Sequence, residues 1–199
     1  MPATLADGRR LILASTSPFR RELLTRLGLP FAVHAPQVAE TRHPGETAAE
    51  LVARLAREKA AAVAVREPDA LVIGSDQVAL LEGEILGKPG SHERALEQLS
   101  RAAGRIVEFH TGLCLLDAAS GRCQVAVEPF RVEFRDLTAA QIESYLRREQ
   151  PYNCAGSFKS EGLGIALFRR LSGDDPNSLI GLPLIRLVAM LEAEGVAVL

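Results

Sequence analysis

The segment Leu11–Leu24, LILASTSPFRRELL, limits the possible folds more than any other, because an apolar run gives way at once to hydroxyls and a proline. Leu11–Leu13 has the composition of a buried strand. Ser17 followed by Pro18 is typical of a helix N-cap with proline at the first helical position. The segment therefore predicts a strand that runs directly into a helix, which is the repeating unit of α/β sheets.

The start of that predicted helix has the chemistry of an anion site. Unpaired backbone N–H groups and the positive end of the helix dipole favour a negative charge at a helix N-terminus. Cations in a first turn oppose the dipole, so a bound polyphosphate explains two arginines there better than helix stability does. The alternative is an ordinary capped helix with two solvated arginines. The polar residues concerned are Ser15, Thr16, Ser17, Arg20 and Arg21.

Composition places the chain among ordinary globular proteins. Its 199 residues are 47% hydrophobic and 24% charged, with a net charge of −2. These values argue against disorder, and no Lys/Arg run predicts a tail for polymeric nucleic acid. There is no apolar stretch of about 18 residues to span a membrane, and MPATLADGRR lacks the apolar core of a signal peptide. Cys114, Cys123 and Cys154 lack Cys-x-x-Cys spacing, so we expect buried thiols in a reducing cytoplasm.

Strand and helix signals along the chain predict an α/β fold with a mixed sheet flanked by helices. We expect strands at Leu11–Ala14, Phe31–His34, Ala70–Gly74, Gln77–Leu81, Ile85–Leu86, Val107–Leu116, Cys123–Phe134 and Ile165–Leu171. We expect helices at Pro18–Leu27, from Thr47 to about Val65, from Ser91 to Gly104, from Thr138 to about Arg148, and at Pro183–Glu194. Glu50 and Gln141 complete capping boxes for the second and fourth. Without a linker, we predict one domain over residues 1–199, with two lobes around a cleft as an open alternative.

Lys59 is predicted to face the protein interior. On a helical wheel, it lies near the middle of an apolar stripe that includes Leu51, Leu55 and Val63. An unpaired buried ammonium is costly, so this lysine needs a negative partner. Lys59 is thus a candidate phosphate ligand in a cleft. The alternative is a lysine that snorkels from the flank of the helix.

Two carboxylates could complete a site with that lysine. Asp76 follows the apolar run Leu71–Ile73, and open α/β sheets bind ligands at the carboxyl ends of strands. The alternative is a turn-forming aspartate. Glu40 lies on a loop and would ordinarily be solvated, but beside Asp76 it would form a hard-oxygen site for Mg²⁺ or Mn²⁺. Lys88, after the predicted hairpin, is a further candidate phosphate cation or an ordinary turn lysine.

Motifs for several other chemistries are missing from the sequence. The chain has no P-loop, no Gly-x-Gly-x-x-Gly fingerprint and no Gly-x-Ser-x-Gly elbow. Its four histidines form no His-x-x-x-His pair, which disfavours a zinc hydrolase. The remaining cations, hydroxyls and carboxylates suit the cleavage of a polyphosphate by water.

Taken together, the motifs resemble the Maf family of nucleoside triphosphate pyrophosphatases over nearly the whole chain. The resemblance rests on ASTSPFRRELL, Glu40, REKA around Lys59, GSDQV at Asp76, GKP at Lys88, FHTG at 109–112, AGSFKSEG at 155–162 and GLPL at 181–184. STSP, SDQ and FKSEG resemble the branch of the family that hydrolyses 7-methyl-GTP, whereas the other main branch prefers dTTP and UTP.

The resemblance implies a role for each matching position. Asp76 would be the catalytic base that activates water, and Glu40 and Asp76 would bind a divalent metal, Mg²⁺ or Mn²⁺. The positions that set base specificity would be Phe19, Gln77 and Glu161, with Phe19 standing where related members often carry tryptophan. The triphosphate would be held by Ser15, Arg20, Arg21, Lys59 and Lys88.

The resemblance also implies a fold and an activity. The expected fold is an elongated mixed sheet with a central cleft, similar to inosine triphosphate pyrophosphatases. The expected reaction converts 7-methyl-GTP to 7-methyl-GMP and diphosphate, which would remove a modified nucleotide from the pool. The alternatives are a dTTP/UTP pyrophosphatase of the same family and a non-catalytic nucleotide-binding regulator of cell division. We expect a small-molecule nucleotide as partner, with no polymeric nucleic acid or membrane, and leave a homodimer open.

Overall fold

The computed structural model describes residues 4–199, through which one seven-stranded mixed sheet runs. Its strands are β1 Arg10–Ala14, β2 Ala32–His34, β3 Ala70–Leu81, β4 Glu84–Leu86, β5 Ile106–Asp117, β6 Cys123–Phe134 and β7 Phe168–Ser172. Its helices are α1 Pro18–Thr25, α2 Ala48–Ala64, α3 His92–Ala102, α4 Ala139–Glu149, α5 Pro176–Ile180 and α6 Leu184–Ala193. The predicted α/β class is confirmed. None of the helices in residues 4–199 is long and apolar enough to cross a membrane.

The sheet is ordered β2–β1–β3–β5–β6–β7, and β4 pairs with the C-terminal end of β3. β1 runs parallel to both β2 and β3, and the remaining pairs are antiparallel. β1 ends at Ala14, opposite Gly74, while β3 continues to Leu81. The prediction of two separate strands here was wrong, because β5 pairs with Ser75 and Asp76 and keeps them in the sheet.

Most of the larger helices begin at the caps that the sequence predicts. Ser17 Oγ accepts a hydrogen bond from the Arg20 N–H, with proline at the first helical position. Both predicted capping boxes are present, at the starts of α2 and α4. Each N-cap is worth about 1 kcal/mol. These local interactions fix where the helices start, and so where the loops before them end.

Two elements differ from the sequence prediction. Helix α5 was not expected, although Asp175 caps it and a proline occupies its first position. The predicted strand Ile165–Leu171 was only partly right, because Leu163–Leu167 forms a 3₁₀ helix and β7 starts at Phe168. Residue 168 is the first in this segment to pair with β6, which explains where the strand begins.

Apolar side chains form separate clusters along the three twelve-residue strands β3, β5 and β6. One cluster packs the C-terminal halves of β3 and β6 and the N-terminal half of β5 against α3 and α4. The other two clusters lie on opposite faces of the other halves of these strands. One packs against α1 and α6, and the other packs against α2. Between them, near the middle of β3, the strand carries the polar residues Ser75, Asp76 and Gln77.

Candidate active site

A cleft of about 950 Å³ opens where these polar residues interrupt the apolar core. Its walls come from the turn after β1, the loop before α2, the middle of β3, the segment after β4 and residues 150–161. β1 ends at Ala14 while β3 continues, so the two strands separate here. Ligands of α/β sheets bind at such points. The cleft is therefore the candidate active site.

The cleft holds a buried cation between two carboxylates. Lys59 Nζ lies 2.6 Å from Asp76 Oδ1 and 2.6 Å from Glu40 Oε1. Lys59 is 6% exposed and Asp76 is 7% exposed. The lysine therefore does not snorkel to solvent, and the need of a buried ammonium for negative partners is met. The three residues come from α2, β3 and the loop before α2, and the role of Lys59 as a phosphate ligand stays a prediction.

Two glycines bring the lysine within reach of the aspartate. A Cβ on Gly74 would lie 2.0 Å from the carbonyl oxygen of Ala56, and one on Gly112 would lie 2.1 Å from that of Val52. Any side chain at either position would push α2 away from the sheet. Because both positions are glycine, α2 packs directly on β3 and β5, and Lys59 reaches Asp76.

The loop that carries Glu40 is tied to the same helix. Arg54 Nη2 donates to the carbonyl oxygen of Thr41 at 3.0 Å. The same guanidinium binds both carboxylate oxygens of Glu46, at 2.6 and 2.8 Å. These hydrogen bonds lower the pKa of Glu46 to about 2. Arg54 thus holds both ends of the segment that follows Glu40 against α2.

The turn between β1 and α1 forms a second wall of the cleft. Ser15 Oγ accepts from the Ser17 N–H at 3.1 Å, and Ser17 caps the helix. Arg20 Nε donates to the carbonyl oxygen of Gly181 at 2.8 Å, which fixes the arginine against the segment after α5. Within residues 4–199, its Nη groups make no hydrogen bond to the protein. They remain available to an anion.

The charged groups of the cleft change the pKa values of Arg20 and Glu40. Burial lowers the pKa of the Arg20 guanidinium, while the charges of Asp76 and Glu40 oppose that shift. Burial alone would raise the pKa of Glu40, but the hydrogen bond and charge of Lys59, together with Lys88 and Arg20, lower it below its usual value. Lys88 lines the cleft after β4, as expected.

Arg21 is the one predicted phosphate ligand that lies outside the cleft lining, and its role stays a prediction. It is exposed on α1 and is not among the residues that line the cleft. Arg20 points toward the cleft, and Arg21 points outward.

The three residues expected to set base specificity all line the cleft. Phe19 is half-buried, and Glu161 is exposed on the glycine-rich segment. The side-chain amide of Gln77 is bound by the protein itself. Its Nε2 donates to Thr111 Oγ1 at 2.9 Å and to the Ser178 carbonyl oxygen at 2.8 Å. Gln77 therefore anchors α5, and only its Oε1 is left for a ligand.

The cleft also contains residues that were not singled out from the sequence. Phe109 and Phe158 meet edge to face, with ring centroids 5.4 Å apart, and line its apolar part. Lys159 adds a cation near Glu161. All three lie within the FHTG and FKSEG motifs, so the motifs located them but did not distinguish them from their neighbours.

The donor chemistry of the cleft fits a divalent cation bound together with a substrate. Glu40 and Asp76 have hard carboxylate oxygens and both contact the Lys59 ammonium, so they lie close together. Mg²⁺ is commonly bound by one or two carboxylates together with phosphates and water. No group of three His, Cys, Asp or Glu side chains suited to a metal occurs in residues 4–199. A cation here would therefore need further ligands from a phosphate.

The chain is similar to known proteins over almost its whole length. The family model for Maf-like proteins matches residues 10–194. A 7-methyl-GTP pyrophosphatase of Nitrosococcus oceani is 61% identical, over 95% of this chain and 95% of its own. Those of Pseudomonas syringae pv. tomato and Pseudomonas aeruginosa are 61% and 58% identical, each over 94% of this chain and 98% of their own.

Among solved structures, the Ham1 protein of Staphylococcus aureus superimposes on this chain with a TM-score of 0.53. The match covers 94% of this chain and 100% of that one, at 19% sequence identity. At that identity the likeness concerns the fold alone.

Proposed function

The chain belongs to the Maf-like family, and we propose on that premise that it hydrolyses 7-methyl-GTP to 7-methyl-GMP and diphosphate. The observation that carries the proposal is the buried Lys59 between Asp76 and Glu40 in a cleft lined by further cations. A protein that only bound a nucleotide would need the cations but no carboxylate to activate water.

Asp76 is the proposed base for the attacking water. Its Oδ1 accepts from Lys59, and its Oδ2 makes no hydrogen bond to the protein within residues 4–199. Oδ2 would take the proton as the water oxygen bonds to the α-phosphorus. The bond from that phosphorus to the oxygen bridging to the β-phosphorus breaks, and diphosphate leaves with the bonding pair. Through its hydrogen bond to Oδ1, Lys59 would hold the Asp76 carboxylate in the orientation for this step.

The leaving diphosphate develops negative charge that needs nearby cations. Arg20 and Lys88 line the cleft, as does Ser15, which lies in the turn between β1 and α1. Fixed cations aimed at developing charge are among the strongest contributions to catalysis. We propose that these residues hold the triphosphate.

Glu40 and Asp76 are the proposed ligands of Mg²⁺ or Mn²⁺. A divalent cation would bind these carboxylates together with the negatively charged triphosphate, which would supply further ligands. When bound, such a cation supplies positive charge to the phosphate oxygens. If activity persisted after chelation and gel filtration, with no metal re-added, this part of the proposal would be wrong.

Base recognition is the part of the proposal that distinguishes substrates. The 7-methylguanine ring carries a delocalised positive charge, which favours an aromatic face and a carboxylate. Phe19 could supply the face and Glu161 could accept from the N1–H and amino edge, with Gln77 Oε1 near the base edge.

The proposed function is tested by the release of diphosphate from a panel of nucleotides with Mg²⁺ or Mn²⁺. The proposal expects 7-methyl-GTP to be the best substrate of a panel that includes GTP, dTTP and UTP. Preference for dTTP or UTP would assign the chain to the other branch of the family. Tight binding without release of diphosphate would make it a nucleotide-binding regulator.

We propose that it acts in the cytoplasm, where free thiols such as Cys114, Cys123 and Cys154 persist.

A further inference from the structure

Glu149 is a carboxylate at an unfavourable place in its helix. It is the last residue of α4, where the negative end of the helix dipole disfavours an anion. Arginines precede it in the last turn, as the dipole prefers. Helix stability therefore does not explain this glutamate, and its contacts outside the helix do.

Those contacts all lie on the segment that carries Glu161. Glu149 Oε2 accepts from the Leu163 N–H at 2.9 Å. Glu149 Oε1 lies 3.3 Å from Lys159 Nζ, which also donates to the Glu149 carbonyl oxygen at 3.2 Å. The hydrogen bond from Leu163 lowers the pKa of Glu149; burial opposes this, and the hydrogen bond and charge of Lys159 add to it.

A glycine makes this close contact possible. A Cβ on Gly162 would lie 2.9 Å from Glu149 Oε2 and 3.1 Å from Oε1. The carboxylate thus touches the chain at residues 159, 162 and 163, on both sides of Glu161. The residue proposed to recognise the base is held from a helix outside the cleft lining.

The same contacts decide where the positive charge of Lys159 is placed. Lys159 and Glu161 both line the cleft, two residues apart. Lys159 pairs with Glu149, while the only hydrogen bond to the Glu161 carboxylate from residues 4–199 comes from Ser160 Oγ, at 3.2 Å. Without the charge of Glu149, Lys159 could pair with Glu161 instead.

We propose that Glu149 is a positioning residue for base selection: it neutralises Lys159 and holds residues 159–163, so that Glu161 faces the cationic 7-methylguanine unopposed. This inference rests on the proposed function. It concerns how the chain distinguishes 7-methyl-GTP from GTP, two nucleotides that differ only in the methyl group and its charge.

The test compares kcat and KM for 7-methyl-GTP and GTP in variants whose folding is checked by thermal melting. Glu149→Gln keeps an oxygen for the Leu163 N–H but removes the negative charge. We expect kcat/KM for 7-methyl-GTP to fall about tenfold relative to GTP, mostly through KM, as for a lost interaction with a charged group. Equal losses for both nucleotides would overturn the inference.

Two further variants isolate the charge of Lys159. Adding Lys159→Met to Glu149→Gln removes the released cation, so the preference for 7-methyl-GTP should recover. Failure to recover would contradict the proposed role. Lys159→Met alone leaves α4 unaltered and should keep the preference, and its loss would also contradict the inference. This single variant keeps the test decisive if Glu149→Gln does not fold.

Glu194→Gln is the matched control. Glu194 is also a carboxylate at a helix C-terminus, bound to Arg122 at 2.7 Å and to Gln124, and none of these residues lines the cleft. Its substitution should leave the nucleotide preference unchanged, and an equal effect there would overturn the inference.

The role through Glu161 is tested by combining variants. If Glu149 acts through Glu161, then Glu149→Gln should cause no further loss of preference in a Glu161→Gln background. An additive loss would contradict the inference alone. No preference for 7-methyl-GTP in the unmodified protein would instead contradict the proposed function.

Discussion

Lys59 Nζ donates to Asp76 Oδ1 at 2.6 Å and so joins α2 to the middle of β3 at the floor of the cleft. The pair is possible because Gly74 lets the helix lie directly on the strand. It leaves Asp76 Oδ2 as the oxygen free to act on water. The packing of α2 on the sheet thus fixes both the hydrogen-bond partner and the orientation of the proposed base.

We predict that turnover depends on the negative charge of Asp76. Asp76→Asn keeps the shape of the side chain but removes the charge needed to accept a proton. The expected loss in kcat is about 10²–10⁴-fold, typical of a lost general base. Steady-state diphosphate release by the folded variant measures it. A near-normal kcat would remove Asp76 from the catalytic role.

Replacing Lys59 by methionine should reduce both activity and stability. Methionine keeps the aliphatic stem, so the packing of α2 against β3 should survive. The structure adds a cost, because the nearly buried Asp76 carboxylate would lose its partner, a loss of about 1–3 kcal/mol. Urea unfolding and kcat/KM measure the two effects. Unchanged kcat/KM would assign Lys59 a structural role only.

Glu161→Gln should change which nucleotide is preferred. The amide keeps the size of the side chain but loses the charge that faces a cationic base. We expect kcat/KM for 7-methyl-GTP to fall about tenfold or more, with much smaller losses for dTTP and UTP. Equal losses across all three nucleotides would exclude a role in specificity.

The pH dependence of stability should report on Glu40. Its pKa in the folded protein is lowered, so its ion pair with Lys59 stabilises the fold above the ordinary pKa of about 4.3 and is lost as the pH falls through the lowered value. Glu40→Gln should therefore melt below the parent protein at pH 7, by a small margin because the side chain is 59% exposed. That difference should shrink below about pH 4, and a difference independent of pH would contradict the assignment.

The local signals in the sequence predicted most of the elements correctly. Ser17 with Pro18, and the capping boxes at Thr47 and Thr138, start helices through contacts within four residues, which sequence patterns describe well. The position of Lys59 on an apolar stripe likewise predicted its burial and its need for negative partners.

The remaining features depend on contacts between residues far apart in sequence. Gln77 binds α5, and Glu149 holds the segment around Glu161, yet neither contact leaves a local pattern. The close approach of α2 to Gly74 is equally non-local. Helix α5 was missed despite a local signal, the Asp175 cap followed by proline. A homodimer and the division into domains stay predictions.

The most direct test of the central claim is hydrolysis of 7-methyl-GTP in ¹⁸O-labelled water, with mass analysis of both products. Attack of water on the α-phosphorus predicts one ¹⁸O atom in 7-methyl-GMP and none in the diphosphate, formed faster than from GTP and lost with Asp76→Asn. Label in the diphosphate, or release of orthophosphate instead, would contradict the account.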